Sequence, residues 1–134
     1  MPSENSSGNY RDLKVWCLAR DLAIEIGVYC ETSNFARHRI LSDQMQRSSI
    51  SVPSNIAEGN DRSSNKDTLR FLVIARGSLA ELRTQLDIAL GLKLFNEQQH
   101  QHLDAKCAEA GRMLSGLIKF KRNQETPSGG SNPA

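Results

Sequence analysis

Apolar side chains recur along this chain at the three- and four-residue steps of an α-helix, in four successive blocks. The clearest runs from about Lys66 to Leu94, where Leu72, Ala75, Leu79, Leu82, Leu86 and Ala89 alternate the two steps. A later block, about Glu97 to Lys121, repeats the alternation with Leu103, Cys107, Ala110, Leu114 and Leu117. Earlier, about Asp12 to Thr32 brings Leu13, Trp16, Ala23, Ile26 and Cys30 close to one stripe, and about His38 to Glu58 sets Leu41, Met45, Val52 and Ile56 on a core-facing seam. No strand-like alternation and no internal repeat appears.

Boundary residues agree with these blocks. Asn96 precedes Gln99 by three, and Ser64 precedes Asp67 by three, the spacing at which a short polar side chain caps first-turn amides while the later group reaches back. Gly59 follows Glu58 directly, where freedom to take positive φ suits the end of a helix. Short connectors between four comparable helices predict an all-α, antiparallel up-down-up-down four-helix bundle over residues 10–122. Residues 1–9 and 123–134 lack apolar periodicity and are expected to be disordered. Gly27, Gly77, Gly111 and Gly116 fall inside helices, where close backbone approach is one compensation for their cost of about 1 kcal/mol each.

Pro53 interrupts the second block. It lacks the amide that would reach the Ser49 carbonyl, and its ring crowds that carbonyl. Yet Val52 and Ile56 keep register with Met45 and Leu41, so the spacing predicts a helix that kinks without ending. Ser48, Ser49, Ser51 and Ser54 leave room for water or another helix and offer hydroxyls to freed backbone groups.

Composition narrows the class. The chain has 134 residues, 38% of them hydrophobic but only 5% aromatic, so an aliphatic core must hold helix on helix. The apolar runs are far shorter than the roughly 20 residues of a membrane span, and the start "MPSENSSGN" lacks a signal peptide's pattern, which points to the cytoplasm. Cys17, Cys30 and Cys107 have no metal or CxxC spacing and read as core thiols. Net charge is +2, unevenly placed: residues 37–76 carry seven basic and four acidic groups, and 119–134 three and one.

Three constellations are candidates for chemistry. Glu97-x-x-His100 matches half of a di-iron element, but one copy without partner carboxylates does not make a metal site, and no cofactor is expected. Arg47, Ser51, Asn55, Glu58 and Arg62 form a polar stripe on the second helix; with Glu81 and Gln85 on the third they are candidates for an interhelical network. Arg62, Lys66 and Arg70 recur every four residues across the turn into the third helix. With Arg37, Arg39, Lys119, Lys121 and Arg122 they are a candidate phosphate-binding patch. No nucleophile-base set or phosphate-binding glycine loop is present, so no enzyme is expected.

Four segments, "YRDLKVW" from Tyr10, "SVPSNIAEG" from Ser51, "RFL" from Arg70 and "GSLAELRTQLDIAL" from Gly77, resemble the four-helix-bundle proteins encoded in intervening sequences of bacterial 23S ribosomal RNA genes. The resemblance covers about residues 10–121 in the same order. It implies an antiparallel bundle that assembles as a homopentamer, and a relationship to the accessory variability proteins of diversity-generating retroelements, which bind nucleic acid and a reverse transcriptase. The chain departs from the family pattern where Phe35 is followed by Ala36 instead of proline, and where the link to Gln44 is about two residues shorter. The function expected is a non-enzymatic oligomer that binds RNA or DNA, RNA first. A scaffold for a protein partner is the alternative.

Overall fold

The computed structural model describes residues 9–130, with side chains described as far as Gln124. After one 3₁₀ turn (Tyr10–Asp12) come α1 (Lys14–Cys30), the one-turn α2 (Ser33–Ala36), α3 (Arg39–Asn60), α4 (Asn65–Gly91) and α5 (Glu97–Gly130). No strand occurs among the described residues, and none of their helices is long and apolar enough to cross a membrane.

Cross-helix pairings set the directions. Between α3 and α4, Ser51 meets Ser78 and the Gly59 carbonyl meets Thr68. Between α4 and α5, Arg76 meets Ser115, Arg83 meets Asp104 and Asp87 meets His100. Residue numbers rise on one helix as they fall on its neighbour. Tyr29 against Phe95 and Glu25 against His102 give the same sense for α1 and α5. Cys30 at Ser42, with Trp16 in a groove beside Pro53 and Ala57, does so for α1 and α3. Sequential neighbours thus lie antiparallel, and α5 closes the bundle against α1.

The seams of α4 and α5 follow the sequence pattern. Leu72, Ala75, Leu79, Leu82, Leu86 and Ala89 are all buried, as are Leu103, Cys107, Ala110 and Leu114, with Ile118 completing α5 in place of the half-buried Leu117. On α3, Met45, Val52 and Ile56 are buried, and Leu41 is half-buried. The stripe of α1 differs. Val15, Ala19, Leu22 and Ile26 enter the core, whereas Leu13, Trp16 and Cys30 lie at its edge. α1 carries apolar residues on most of its circumference, Ile24 and Val28 remaining exposed, so periodicity alone does not choose the buried face.

Both capping expectations hold. The Asn96 amide donates to Gln99 Oε1 at 2.9 Å and the Gln99 amide to Asn96 Oδ1 at 2.7 Å, a reciprocal box at the start of α5. The Asp67 amide donates to Ser64 Oγ at 3.1 Å. α4 ends through Lys93, whose φ of 63° is the left-handed cap, and the Leu94 amide returns to the Ala89 carbonyl. α3 runs unbroken through Pro53 to Asn60, with the Ser49 hydroxyl donating to the Gln46 carbonyl at 3.0 Å. Helical backbone also continues to Gly130, past the expected end near Lys121. "NQE" after Arg122 has fair helix propensity, which an apolar-period criterion does not register. The unstructured ends expected at residues 1–8 and 131–134 lie outside the described residues.

Gly59 has a different role from the one expected. No described glycine has positive φ, and α3 extends one residue past it. A Cβ there would lie 3.1 Å from Phe71 Cβ and 3.2 Å from the Thr68 carbonyl oxygen. The glycine thus permits α3 to approach the first turns of α4, where Thr68 Oγ1 donates to its carbonyl at 2.9 Å. By contrast, Gly27, Gly77 and Gly116 face open space within the chain, so close approach does not explain them. Gly59→Val should therefore destabilise the protein by about 1–3 kcal/mol through overpacking, while Gly116→Ala should stabilise it by up to about 1 kcal/mol. Urea melts of the two variants check both signs.

Candidate nucleic-acid interface

The turn between α3 and α4 organises most of the candidate cations. Arg62 leaves the end of α3 and Arg70 sits on the second turn of α4, and both guanidiniums lie against the Phe71 ring, at 4.7 and 4.6 Å from its centroid. Such stacking holds a planar donor fork in place with its N–H groups turned to solvent. Carboxylates share the neighbourhood. Arg62 pairs with Glu58, and Arg70 lies 3.6 Å from Asp67. Lys66 is exposed between them.

The end of α5 approaches the same turn. Asn65 Nδ2 donates to the Lys121 carbonyl at 2.6 Å, tying the first turn of α4 to α5. Lys121 and Arg62 line one cavity of about 400 Å³. Lys119 and Arg122 are exposed on the same stretch of α5.

Arg37 and Arg39 do not join this group. They flank the start of α3, beside Ile40 and the half-buried Gln85. The length of α3 puts them about 30 Å from Arg62. The single patch expected from sequence is therefore two, one at each end of α3. Phe71 is the member that sequence reasoning overlooked; the signal available was its position directly after Arg70.

The polar stripe also divides. Asn55 Nδ2 donates to the Ser51 carbonyl at 2.9 Å and to Ser51 Oγ at 3.0 Å, and Ser51 Oγ meets Ser78 Oγ at 2.8 Å across the α3–α4 seam. Ser78, not Glu81, supplies the partner from α4, since its step along the helix points into the seam. Glu81 is exposed, as is Arg47, and Glu58 turns outward to Arg62. Gln85 Oε1 is buried without a partner in the chain.

The remaining titratable groups form helix-to-helix ties. His100 Nε2 lies 2.7 Å from Asp87, linking α5 to α4. Glu97 is exposed, and no group of three metal-binding side chains occurs among the described residues. His102 and Lys106 both reach Glu25 on α1, at 2.6 and 2.9 Å. Burial pushes the Glu25 carboxyl up, but the hydrogen bonds from Lys106 and His102 outweigh it and leave the group below its ordinary value. The fork of Arg83 on Asp104 likewise holds Asp104 low, against the effect of burial. Burial drives the Cys107 thiol up to about 12 and raises that of Cys30, so both stay protonated near neutral pH.

With this geometry in place, the relatives can be compared. The 23S rRNA-intervening sequence protein family matches residues 11–116. The chain belongs to that family. A crystal structure at 1.70 Å, described as a protein with unknown function from the S23 ribosomal protein family of Bacteroides thetaiotaomicron VPI-5482, is similar in fold, with a TM-score of 0.73 and 24% identity over 78% of this chain and 95% of that one. No curated protein shows significant sequence similarity.

The carboxylate ties give a pH dependence. Because Glu25 and Asp104 are held low in the folded chain, their contribution is present above the ordinary carboxylate range and is lost as the pH falls through their folded values, below about 4. Asp104→Asn should cost about 0.5–1 kcal/mol at pH 7 and much less at pH 3, as denaturant melts at the two pH values would register.

Proposed function

We propose that this member of the intervening-sequence family is a non-enzymatic, oligomeric protein that associates with nucleic acid, RNA in preference to DNA. The observation that carries the reading is the cationic end of the bundle, where Arg62 and Arg70 stack on Phe71 and Lys121 lies beside Arg62 on one cavity. Fixed guanidiniums around an aromatic ring suit phosphates with a base nearby. Glu58 and Asp67 blunt the field of one copy. Assembly restores it, because phosphate binding is collective: a pentamer raises +2 to about +10 and repeats the cluster around a ring.

Support for assembly comes from apolar side chains that one chain leaves uncovered. Ile24 and Ile50 are more than half exposed on either side of the α1–α3 groove that contains Pro53, and Val28 continues the stripe one turn along. Apolar surface of this kind marks association. It also favours the second reading, a protein-interaction scaffold without nucleic acid.

Gel-shift titration over a salt series tests the choice, with light scattering to follow assembly. Affinity of the parent should fall with a logarithmic slope of about −0.7 per single-strand phosphate neutralised, and changing Arg62, Lys66 and Arg70 together to Glu should weaken unrelated RNAs alike by at least about tenfold. A triple variant that stays oligomeric and binds as the parent does would exclude this surface. A parent that binds no RNA at low salt would leave the scaffold reading.

A further inference from the structure

The cavity under the α3–α4 turn has a composition that the phosphate-patch reading does not use. Its floor is aliphatic, made by Leu13, Ile56, Leu72 and Leu117 where α1, α3, α4 and α5 come together. Its rim is rich in donors. Arg62 and the half-buried Lys121 line it, and among the described residues no carboxylate pairs with the Lys121 ammonium. Asn60 lines it as well, and its Nδ2 is buried with no acceptor in the chain. A buried amide without a partner is unfavourable for folding, and so is an ammonium partly withdrawn from water without an anion. Two such groups at one cavity lack what a ligand with an acceptor edge and an anionic group supplies.

From this juxtaposition we propose that the cavity is a binding site for a single unstacked nucleotide, its base against the four aliphatic side chains, the base edge accepting from Asn60, and its phosphate between Arg62 and Lys121. A volume of about 400 Å³ is within the range of small-molecule pockets. Single-stranded RNA offers such a unit, since specific recognition of RNA takes splayed-out bases into pockets. The inference deepens the RNA reading and rests on it: the stacked arginines hold the backbone, and the cavity takes one base from it. An inorganic anion satisfies the rim alone, and a nucleoside the floor alone.

Calorimetric titration of the full chain with each of the four ribonucleoside 5′-monophosphates tests this, with adenosine and inorganic phosphate as half-ligands. At least one monophosphate should bind saturably and at least about tenfold more tightly than either half-ligand, as expected when a charge-assisted hydrogen bond is removed. Lys121→Gln should lose about that factor. Asn60→Leu should lose it too, yet leave the urea midpoint unchanged or higher, because the unpartnered donor is gone; a merely structural Asn60 would instead lower the midpoint. Absence of saturable binding by all four monophosphates, equal binding of phosphate, or unchanged affinity in both variants would each overturn the site. Gel shifts with long RNA run beside the titration separate the two ideas: RNA retained by a parent that binds no monophosphate removes the pocket and leaves the backbone-binding surface standing.

Discussion

Everything at the cationic end depends on how closely α3 can lie against α4. Gly59 sets that distance, because a single Cβ would press on the Thr68 carbonyl and Phe71, and Thr68 then bonds the Gly59 carbonyl directly. Farther along the seam Ser51 and Ser78 meet through their hydroxyls, and Ser48 and Ser49 are buried where larger side chains would hold the helices apart. With the helices this close, the short turn after Asn60 delivers Arg62 to the same ring as Arg70. Phe71 is thus both wall and platform: its Cβ faces Gly59, and its ring carries two guanidiniums.

The same seam accounts for Pro53. A proline is expensive inside a helix because one amide is missing and a carbonyl is crowded. Here it stands beside small neighbours, Ser54 and Ala57 on its own helix and Ala23 on α1, so its ring occupies a groove and displaces no core residue. The buried seam of α3 passes on another face, through Met45, Val52 and Ile56, which is why the proline does not disturb it. Sequence and structure agree because register, which fixes the core, continues through a residue that removes a single hydrogen bond.

Legibility in the sequence followed the physics of each element. α4 and α5 were readable almost residue by residue, since each has one apolar stripe and a capped start, and both signals are local. α1 was harder to orient because apolar residues surround it, and choosing its buried face takes knowledge of what it packs against. α2 could not be seen, as four residues are too few for a period; only Phe35, packed on Phe95 at 5.3 Å, hints at a contact there. The candidate site was half legible. Arg62 and Arg70 share a spacing that survives folding, but Arg37 and Arg39 share only composition with them, and a helix length separates the two sets. Glu81 looked like a network member because helical spacing constrains faces only to within a residue or two, and Ser78, one turn earlier, turned out to face α3.

What sequence could not signal at all is unmet bonding capacity. Asn60 and Gln85 are ordinary residues in the primary structure, and their buried atoms become unusual only once neighbours from other helices surround them without a matching group. The two lie toward opposite ends of the α3–α4 seam, each beside a cavity lined by basic residues. A bundle selected for stability alone would place aliphatic side chains at both positions, since removing an unpaired polar group is neutral or favourable. Stability does not explain their presence, whereas a bound group that completes their hydrogen bonds does. At the Asn60 end the floor is aliphatic, the rim is cationic and the walls come from four helices, so that end has the means to hold such a group. At the Gln85 end the exposed Ile40 and Ile88 leave the groove open, and the same polarity there has less to hold a small ligand in place.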